Sequence, residues 1–212
     1  MTQFLFDFDG TLANTLPLCV AAFRETIESL VHRRPTDAEI LATFGPSEEG
    51  TIKALLPGHF EEGLARYYEN YERLHDRWPE PFPGIRDVLA YLKASGTFLG
   101  LVTGRGARSL EITLRRFGMT GIFDVVKTGR PEGTVKEACM EEIFAAYPLR
   151  RGEVLYVGDT PYDIGASHAC GIRAAAAAWA PTADLAALRA ARPDYCFETV
   201  GAFSEAVRNG RL

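Results

Sequence analysis

Lysine is scarce in this sequence of 212 residues, and its 23 lysines and arginines are scattered. The formal net charge is −5, and the chain has only four lysines, Lys53, Lys93, Lys127 and Lys136. Proteins bind the phosphate backbone of nucleic acids through clusters of lysine and arginine. The sequence has no basic stripe of this kind, so its composition argues against a nucleic-acid partner.

Paired cysteines and long hydrophobic runs are also missing. The cysteines are scattered without a C-x-x-C motif, and we expect buried thiols in a reducing compartment, not disulfides or zinc ligands, at Cys19, Cys139, Cys170 and Cys196. The N-terminus has no basic start followed by an apolar run, and two aspartates fall within its first ten residues. This pattern indicates neither a signal peptide nor a transmembrane helix. We expect a soluble cytoplasmic protein without a membrane partner.

Strand-like sequence is also missing from one long segment near the start of the chain. From Thr15 to about Trp78 there is no strand-like run, and apolar residues recur at helical spacing. The proline-rich segment WPEPFPG, residues 78–84, ends this region as a stiff connector. Elsewhere, short apolar strands alternate with helices, which favours β-α-β units and a parallel sheet.

The pattern therefore predicts an α/β fold, with a Rossmann-like parallel sheet, helices on both of its faces, and an inserted all-helical domain. We place the α/β core at residues 1–15 and 82–212 and the insert at 16–81. The alanine run at 174–178 predicts a buried strand under close-packed helices. A hydrophobic content of 47% supplies enough apolar mass for a core.

Two carboxylates stand at the end of the first predicted strand, residues 4–8. They are Asp7 and Asp9, within FLFDFDGTLANT. Residues i and i+2 of a strand point the same way, so both side chains can share one pocket. A plain Asp-Gly turn is the alternative. Two neighbouring acids also separate their pKa values, which can supply a nucleophile toward phosphorus and a general acid/base.

A second acidic cluster, GDTPYD at residues 158–163, follows a later predicted strand. Thr160 and Asp163 have the spacing of a helix cap, which explains Asp163 but not Asp159 at the strand tip. In such sheets, ligands bind outside the carboxyl ends of the strands. If their strands are neighbours, Asp7 and Asp159 could hold Mg²⁺, which prefers hard oxygen ligands.

Two more strand ends carry polar residues. Thr103 and Gly104 follow the strand FLGLV, and they could form a plain turn or hold a phosphoryl oxygen through a hydroxyl and a backbone N–H. TVKE, residues 134–137, predicts a capping box that places Lys136 in the first helical turn. A lysine there opposes the helix dipole, which indicates an anion partner, although an ordinary surface lysine is the alternative.

In this order, DFDGTL, LVTG, a single lysine and GDTPYD resemble the motifs of the haloacid dehalogenase superfamily, and most closely its phosphoglycolate phosphatase-like branch. The resemblance covers residues 1–15 and 82–212, and the insert is similar to the helical cap of that family. It implies a phosphatase for a small phosphorylated molecule, with Asp7 as nucleophile and Asp9 as general acid/base. It further implies phosphate binding by Thr103, Gly104 and Lys136, and Mg²⁺ on Asp7, the Asp9 carbonyl and Asp159, with Asp163 close by.

The sequence departs from that family pattern in places. Many relatives carry a Lys-Pro pair, whereas here Arg130 precedes Pro131, so Arg130 is the alternative to Lys136. Asn14 stands where many relatives have aspartate, beside a predicted hinge at 14–16; a second hinge is predicted at 79–84. The loop TFGPSEEG, residues 43–50, is predicted to face the site, although a helix cap at Ser47 explains it equally well.

Other functions remain open from the sequence. A phosphomutase of the β-phosphoglucomutase type would share the phosphorylated aspartate, and a non-catalytic signalling or binding module could use it as a switch. A dehalogenase is disfavoured, since that chemistry needs neither Asp9 nor Asp159. Phosphonate hydrolysis would need a cap lysine, and the insert has only Lys53. The substrate, whether phosphoglycolate, a sugar phosphate, a nucleotide monophosphate or pyrophosphate, and the choice between monomer and dimer are not determined.

Overall fold

The computed structural model describes residues 2–78 and 80–212, so the predicted hinge residue Pro79 lies outside the described residues. Its centre is a six-stranded parallel sheet with the order β3-β2-β1-β4-β5-β6. The strands are β1 (Gln3–Phe6), β2 (Leu99–Val102), β3 (Val125–Lys127), β4 (Val154–Gly158), β5 (Arg173–Ala177) and β6 (Tyr195–Phe197). The chain leaves β1 toward β2 on one side and β4 lies on the other, so the strand order reverses at β1, where ligands bind in such sheets.

Helices cover both faces of this sheet. They are α5 (Ile85–Ala94), α6 (Ala107–Arg116), α7 (Lys136–Ala146), α8 (Pro161–Ala169), α9 (Leu185–Ala190) and α10 (Val200–Arg208). Side chains of β1 alternate between the faces, as the period of two requires. Phe4 and Phe6 join the core beside α5 and α10, whereas Leu5 joins the core beside α7 and α8.

The insert is entirely helical in the described residues, with α1 (Leu16–Val31), α2 (Asp37–Leu41), α3 (Glu48–Leu55) and α4 (Phe60–Leu74), followed by a 3-10 turn at His75–Arg77. It has its own hydrophobic core, in which the rings of Phe23 and Tyr67 stack with centroids 4.2 Å apart. The predicted fold class, a parallel sheet with helices on both faces and an inserted helical cap, is therefore confirmed. The limits 16–81 stay a prediction.

Several local predictions differ from the structure. The first strand ends at Phe6, not at residue 8, because β1 pairs with β2 and β4 only as far as Phe6, and the turn that follows is closed by hydrogen bonds to the Phe8 carbonyl. Helix α10 was not predicted, although Thr199 caps it and Phe203 anchors it among the β1 aromatic side chains. All four cysteines are free as expected, but Cys196 is exposed because β6 is an edge strand.

No helix among residues 2–78 and 80–212 is both long and apolar enough to cross a membrane.

Candidate active site

Asp7 is the first residue after β1, and it is almost fully buried. Its backbone N–H donates to the carbonyl of Val157 in β4 at 2.9 Å, so the sheet fixes its position. Its Oδ2 lies 2.9 Å from the ammonium of Lys136. Burial raises the pKa of Asp7 to about 7, although the charge of Lys136 opposes this shift. A carboxylate so held is rigid, desolvated and close to a cation.

Asp159 and Asp163 complete an acidic cluster with Asp7. One carboxylate oxygen of each residue lies within 4.8 Å of those of the other two. Burial, with the negative charge of Asp7 next, raises the pKa of Asp159 to about 8. The ammonium of Lys136 contacts the carboxylates of both Asp7 and Asp163, so one positive charge faces a cluster of three acids. This buried group of hard oxygen donors has an excess of negative charge, which fits a divalent cation.

Asp163 has two structural partners as well. Thr160 and Asp163 form the capping box of α8, as the sequence predicted. In this box the Thr160 N–H donates to Oδ2 of Asp163. The other carboxylate oxygen of Asp163, Oδ1, accepts from Lys136 and from the hydroxyl of Tyr156, the latter at 3.2 Å. The cap and the cluster are therefore compatible, because the two oxygens face different partners.

Gly10 makes the turn after the aspartates, and it packs directly against Asp159. Its φ is +76°, and a Cβ built on it would lie 2.0 Å from Asp159 Oδ2. We expect Gly10→Ala to displace the Asp159 carboxylate, to lower the free energy of unfolding by about 1–3 kcal/mol and to weaken metal-dependent activity. Urea unfolding and activity titrated against MgCl₂ measure both effects.

Gly165→Ala is the matched control for that change. Gly165 lies in α8, and a Cβ there meets nothing within 4 Å. Alanine should raise helix stability by up to about 1 kcal/mol without altering activity. If Gly10→Ala behaves like Gly165→Ala, the contact with Asp159 is not important.

Asp9 lies beside Asp7 but has different partners. Its Oδ1 accepts from Arg105 Nη2 at 2.7 Å and from the hydroxyl of Thr15. Phe4, Phe6 and Phe8 all pack into the same hydrophobic core, so the alternation of side chains continues past the last paired residue of β1, in agreement with the predicted i, i+2 placement of Asp7 and Asp9. Both side chains line the same cavity. The two acids are thus separated electrostatically, one facing Lys136 and the other Arg105.

Lys136 and Arg130 lie in different environments. Lys136 is buried against Asp7 and Asp163 and lines the cavity, whereas Arg130 is half-exposed and pairs with Glu142 at 2.6 Å. The structure therefore brings Lys136, not Arg130, to the acidic cluster.

The predicted capping box at 134–137 is wrong, although Lys136 does lie in the first turn of α7. The N-cap residue of α7 is Val135, so Thr134 is one position too early to cap it. The carboxylate of Glu137 accepts from the hydroxyl of Tyr162 at 2.6 Å instead of reaching back along the chain.

Thr103 and Gly104 follow β2 and line the cavity beside Asp7. Thr103 is buried; its backbone N–H donates to the carbonyl of Lys127 at 3.0 Å, and its hydroxyl accepts from the N–H of Arg105 at 3.3 Å. The four predicted strand-end clusters, those of Asp7, Thr103, Lys136 and Asp159, therefore meet at one edge of the sheet.

The loop at 43–50 contacts this edge from the cap. Phe44, Gly45 and Pro46 line the cavity, and α3 begins directly after Ser47. Glu48 reaches the core domain, where its carboxylate accepts from the N–H of Gly106 at 2.6 Å and from the hydroxyl of Ser109. The loop faces the site, and it also begins a helix, although the Ser47 hydroxyl donates to Glu49 instead of capping. The cap and the core enclose a cavity of about 400 Å³.

The model of the family described as haloacid dehalogenase-like hydrolase matches residues 4–177, from the second residue of β1 to the end of β5. The chain belongs to the haloacid dehalogenase-like hydrolases. A phosphoglycolate phosphatase from Synechococcus elongatus is 31% identical over 98% of this chain and 97% of that protein. A pyrophosphatase, PpaX, from Bacillus cereus is 28% identical over 92% of this chain and 90% of that protein.

Solved structures agree on the fold of this family. The crystal structure of CbbY from Rhodobacter sphaeroides, in complex with phosphate, matches with a TM-score of 0.77 at 21% identity, over 94% of this chain and 95% of that one. The sequence-based assignment to the haloacid dehalogenase superfamily, and to its phosphatase-type enzymes, is thus confirmed.

Arg105 is a residue of this haloacid dehalogenase-like site that sequence reasoning missed. Its side chain is buried and pairs with Asp9. Its Nη1 donates to the hydroxyl of Tyr71 in the cap at 2.6 Å and to the hydroxyl of Thr113 in α6 at 3.0 Å, so Arg105 connects Asp9 to the cap. The available signal was its position directly after Thr103-Gly104. By contrast, Lys53 is exposed on α3 over the ring of Phe60 and does not line the cavity, so the lysine that phosphonate hydrolysis would need is not in place.

Proposed function

We propose that this protein is a Mg²⁺-dependent phosphatase that hydrolyses a small phosphomonoester through a phosphorylated Asp7. The observation that carries the proposal is the position of Asp7, which is buried at the end of β1 between Lys136 and the carboxylates of Asp159 and Asp163 and faces a cavity under the cap. A desolvated, fixed carboxylate is a competent nucleophile toward phosphorus.

In the first step, a carboxylate oxygen of Asp7 attacks phosphorus in line, and the bond from phosphorus to the leaving oxygen breaks. Protonated Asp9 donates its proton to that oxygen, which leaves as the alcohol. The bonds from Arg105 and Thr15 both fall on Asp9 Oδ1, so Oδ2 is the oxygen we assign to proton transfer.

In the second step, Asp9 takes a proton from water as the water oxygen attacks phosphorus. The bond from phosphorus to Asp7 breaks, inorganic phosphate forms, and both aspartates return to their starting states.

The remaining residues bind and neutralise the phosphoryl group. Lys136, Thr103 and the backbone N–H of Gly104 are placed to hold its oxygens. Asp7, the carbonyl of Asp9 and Asp159 would hold Mg²⁺, with Asp163 close by. The ion would reduce the repulsion between the Asp7 carboxylate and a dianionic phosphate.

The cap, which we take to span 16–81, would close over the substrate and exclude bulk water. We place the enzyme in the cytoplasm, where free thiols stay reduced. Phosphoglycolate and pyrophosphate are candidate substrates on the names of the relatives.

A phosphate-release assay with p-nitrophenyl phosphate tests the proposal. We expect steady turnover with MgCl₂, loss of turnover with EDTA, and recovery when excess MgCl₂ is added back. Turnover that is insensitive to EDTA, or no release from any phosphomonoester in a metabolite panel, would contradict it. A burst of about one equivalent of p-nitrophenol per enzyme, followed by slow release of phosphate, would indicate a phosphomutase instead, because the phosphoryl group then stays on Asp7.

A further inference from the structure

The side chains that the cap contributes to the cavity are mostly apolar, and Glu48 and Thr51 of α3 are polar exceptions. The others come from α1, from the loop before α3 and from α4, namely Leu16, Cys19, Phe23, Phe44, Pro46 and Tyr67. Cys19, Phe23 and Tyr67 are buried and belong to the hydrophobic core of the cap, so their positions are fixed by packing. A group that leaves the phosphorus atom toward the cap therefore meets hydrocarbon and aromatic surface.

The charges around this cavity are unfavourable for a second anion. Among the described residues, the lining carries four carboxylates, Asp7, Asp9, Glu48 and Asp159, but two cations, Lys136 and Arg105. Lys136 contacts Asp7 and Asp163, and it is the cation placed to receive the phosphoryl group. Arg105 pairs with Asp9, and both of its terminal nitrogens already donate to protein atoms, which leaves only its buried Nε without a partner among the described residues.

The only charged side chain that the described part of the cap contributes to the lining is negative. It is Glu48, which lines the cavity while its carboxylate accepts hydrogen bonds from the Gly106 N–H and the Ser109 hydroxyl at the start of α6. A carboxylate or a second phosphate on the substrate would lose its hydration beside Glu48 without gaining a cation. Burying an unpaired charge costs several kcal/mol, or far more in a dry site.

The hydroxyl of Tyr67 is a neutral polar group beside the apolar side chains of the cap. The side chain of Tyr67 is fully buried, and its hydroxyl has no hydrogen-bond partner among the described residues. Such a group is complementary to a neutral hydrogen-bonding atom and offers no charge.

We infer that the substrate of this site is a phosphomonoester of an uncharged, largely apolar alcohol, alkyl or aryl, that carries no carboxylate and no second phosphate. The inference rests on the proposed function for the phosphoryl end of the site, and it goes beyond that function at the other end. The inferred substrate therefore differs from phosphoglycolate and pyrophosphate, the compounds for which two relatives are named. Phosphoglycolate carries a carboxylate, and pyrophosphate carries a second phosphate.

The first test compares small phosphate esters with and without a second anionic group. Propyl phosphate is set against phosphoglycolate, and phenyl phosphate against its para-carboxylated analogue, with pyrophosphate as a fifth compound. We expect kcat/KM to be higher for the uncharged member of each pair by about tenfold or more. A higher kcat/KM for phosphoglycolate or pyrophosphate would overturn the inference and leave the proposed phosphatase function intact.

The second test measures binding without turnover. Titration calorimetry on the Asp7→Asn protein, with MgCl₂, compares benzylphosphonate with 4-(phosphonomethyl)benzoate, which differ by one carboxylate. Tighter binding of benzylphosphonate supports the inference, even if no ester is hydrolysed and the proposed function fails. Equal binding, tighter binding of the carboxylate, or no binding of either compound overturns it.

Glu48→Gln isolates the charge of the cap. Glutamine keeps an acceptor for the Gly106 N–H and a donor toward Ser109, so the contact between cap and core is retained. We expect the preference for propyl phosphate over phosphoglycolate to fall by about threefold or more, because one negative charge is removed. An unchanged ratio in a folded variant, checked by its melting temperature, would show that Glu48 does not exclude anionic substrates.

Discussion

Asp7→Asn is expected to lower kcat by about a thousandfold or more while leaving the fold intact. The amide has nearly the same shape as the carboxylate but cannot attack phosphorus, so no phosphorylated enzyme forms. The Asp7 side chain is buried and contacts Lys136 at 2.9 Å, and an asparagine oxygen can accept from the same ammonium. Stopped assays of phosphate release, with phosphate-labelling of the denatured enzyme, measure both steps.

Asp87→Asn serves as the matched control for this substitution. Asp87 is exposed in the first turn of α5, away from the cavity. The same chemical change there should leave kcat unchanged and move the melting temperature little. If Asp7→Asn retains full activity at the level of Asp87→Asn, Asp7 is not the nucleophile.

Stabilisation by Mg²⁺ is expected to grow steeply with pH. Burial raises the pKa of Asp7 to about 7 and that of Asp159 to about 8 in the metal-free protein, against ordinary values of 3.8. Below these pKa values a proton must leave before an oxygen can bind the ion, so affinity should rise about tenfold per pH unit for each proton displaced. The gain should level off above about pH 8.

The sign of the effect on stability follows from the same shifts. Between about pH 4 and pH 8 the native metal-free protein holds more protons than the unfolded chain, so its stability falls as pH rises. Mg²⁺ replaces those protons and should restore stability at the upper end of this range. The rise in melting temperature that MgCl₂ causes should be much larger at about pH 8 than at about pH 5.5.

Asp159→Asn provides the control for the metal. It removes one carboxylate from the cluster, and with it most of the melting-temperature rise that MgCl₂ causes at high pH, whereas Asp87→Asn should keep the full rise. A rise of equal size at both pH values, or one that survives in Asp159→Asn, would show that the ion binds elsewhere.

Arg105 connects the cap to Asp9, so opening and closing of the cap should affect this acid. Arg105 contacts Asp9 in the core and Tyr71 in the cap, while Glu48 of the cap caps the N-terminus of α6 through Gly106. Opening of the cap would break these contacts, so the orientation of Asp9 and the closed position of the cap depend on each other.

Much of the fold could be predicted from sequence because its signals are local. Apolar runs bounded by glycine and aspartate predicted the sheet, and helical spacing from Thr15 to about Trp78 predicted the insert. The missed α10 is short, and it is held to the sheet by Phe203 packing on Phe4 and Phe6. The capping box at 134–137 was predicted wrongly for the same reason, since it was inferred from local sequence. The Glu137 carboxylate instead accepts a hydrogen bond from Tyr162, 25 residues away in sequence.

The sequence by itself predicted the chemistry that we propose for the phosphoryl end. Asp7, Thr103 and Asp159 each directly follow a strand, Lys136 opens a helix, and Asp9 lies two residues after Asp7. That placement follows from topology, which local patterns encode. The sequence already favoured Lys136 over Arg130, and the tertiary structure then placed Lys136 at the acidic cluster and Arg130 on Glu142. Tertiary structure alone decided the pairing of Asp9 with Arg105 and the largely apolar surface, with one carboxylate, that the cap contributes to the cavity. These properties depend on burial and on contacts between residues distant in sequence, and no local pattern records which side chains will lose water together.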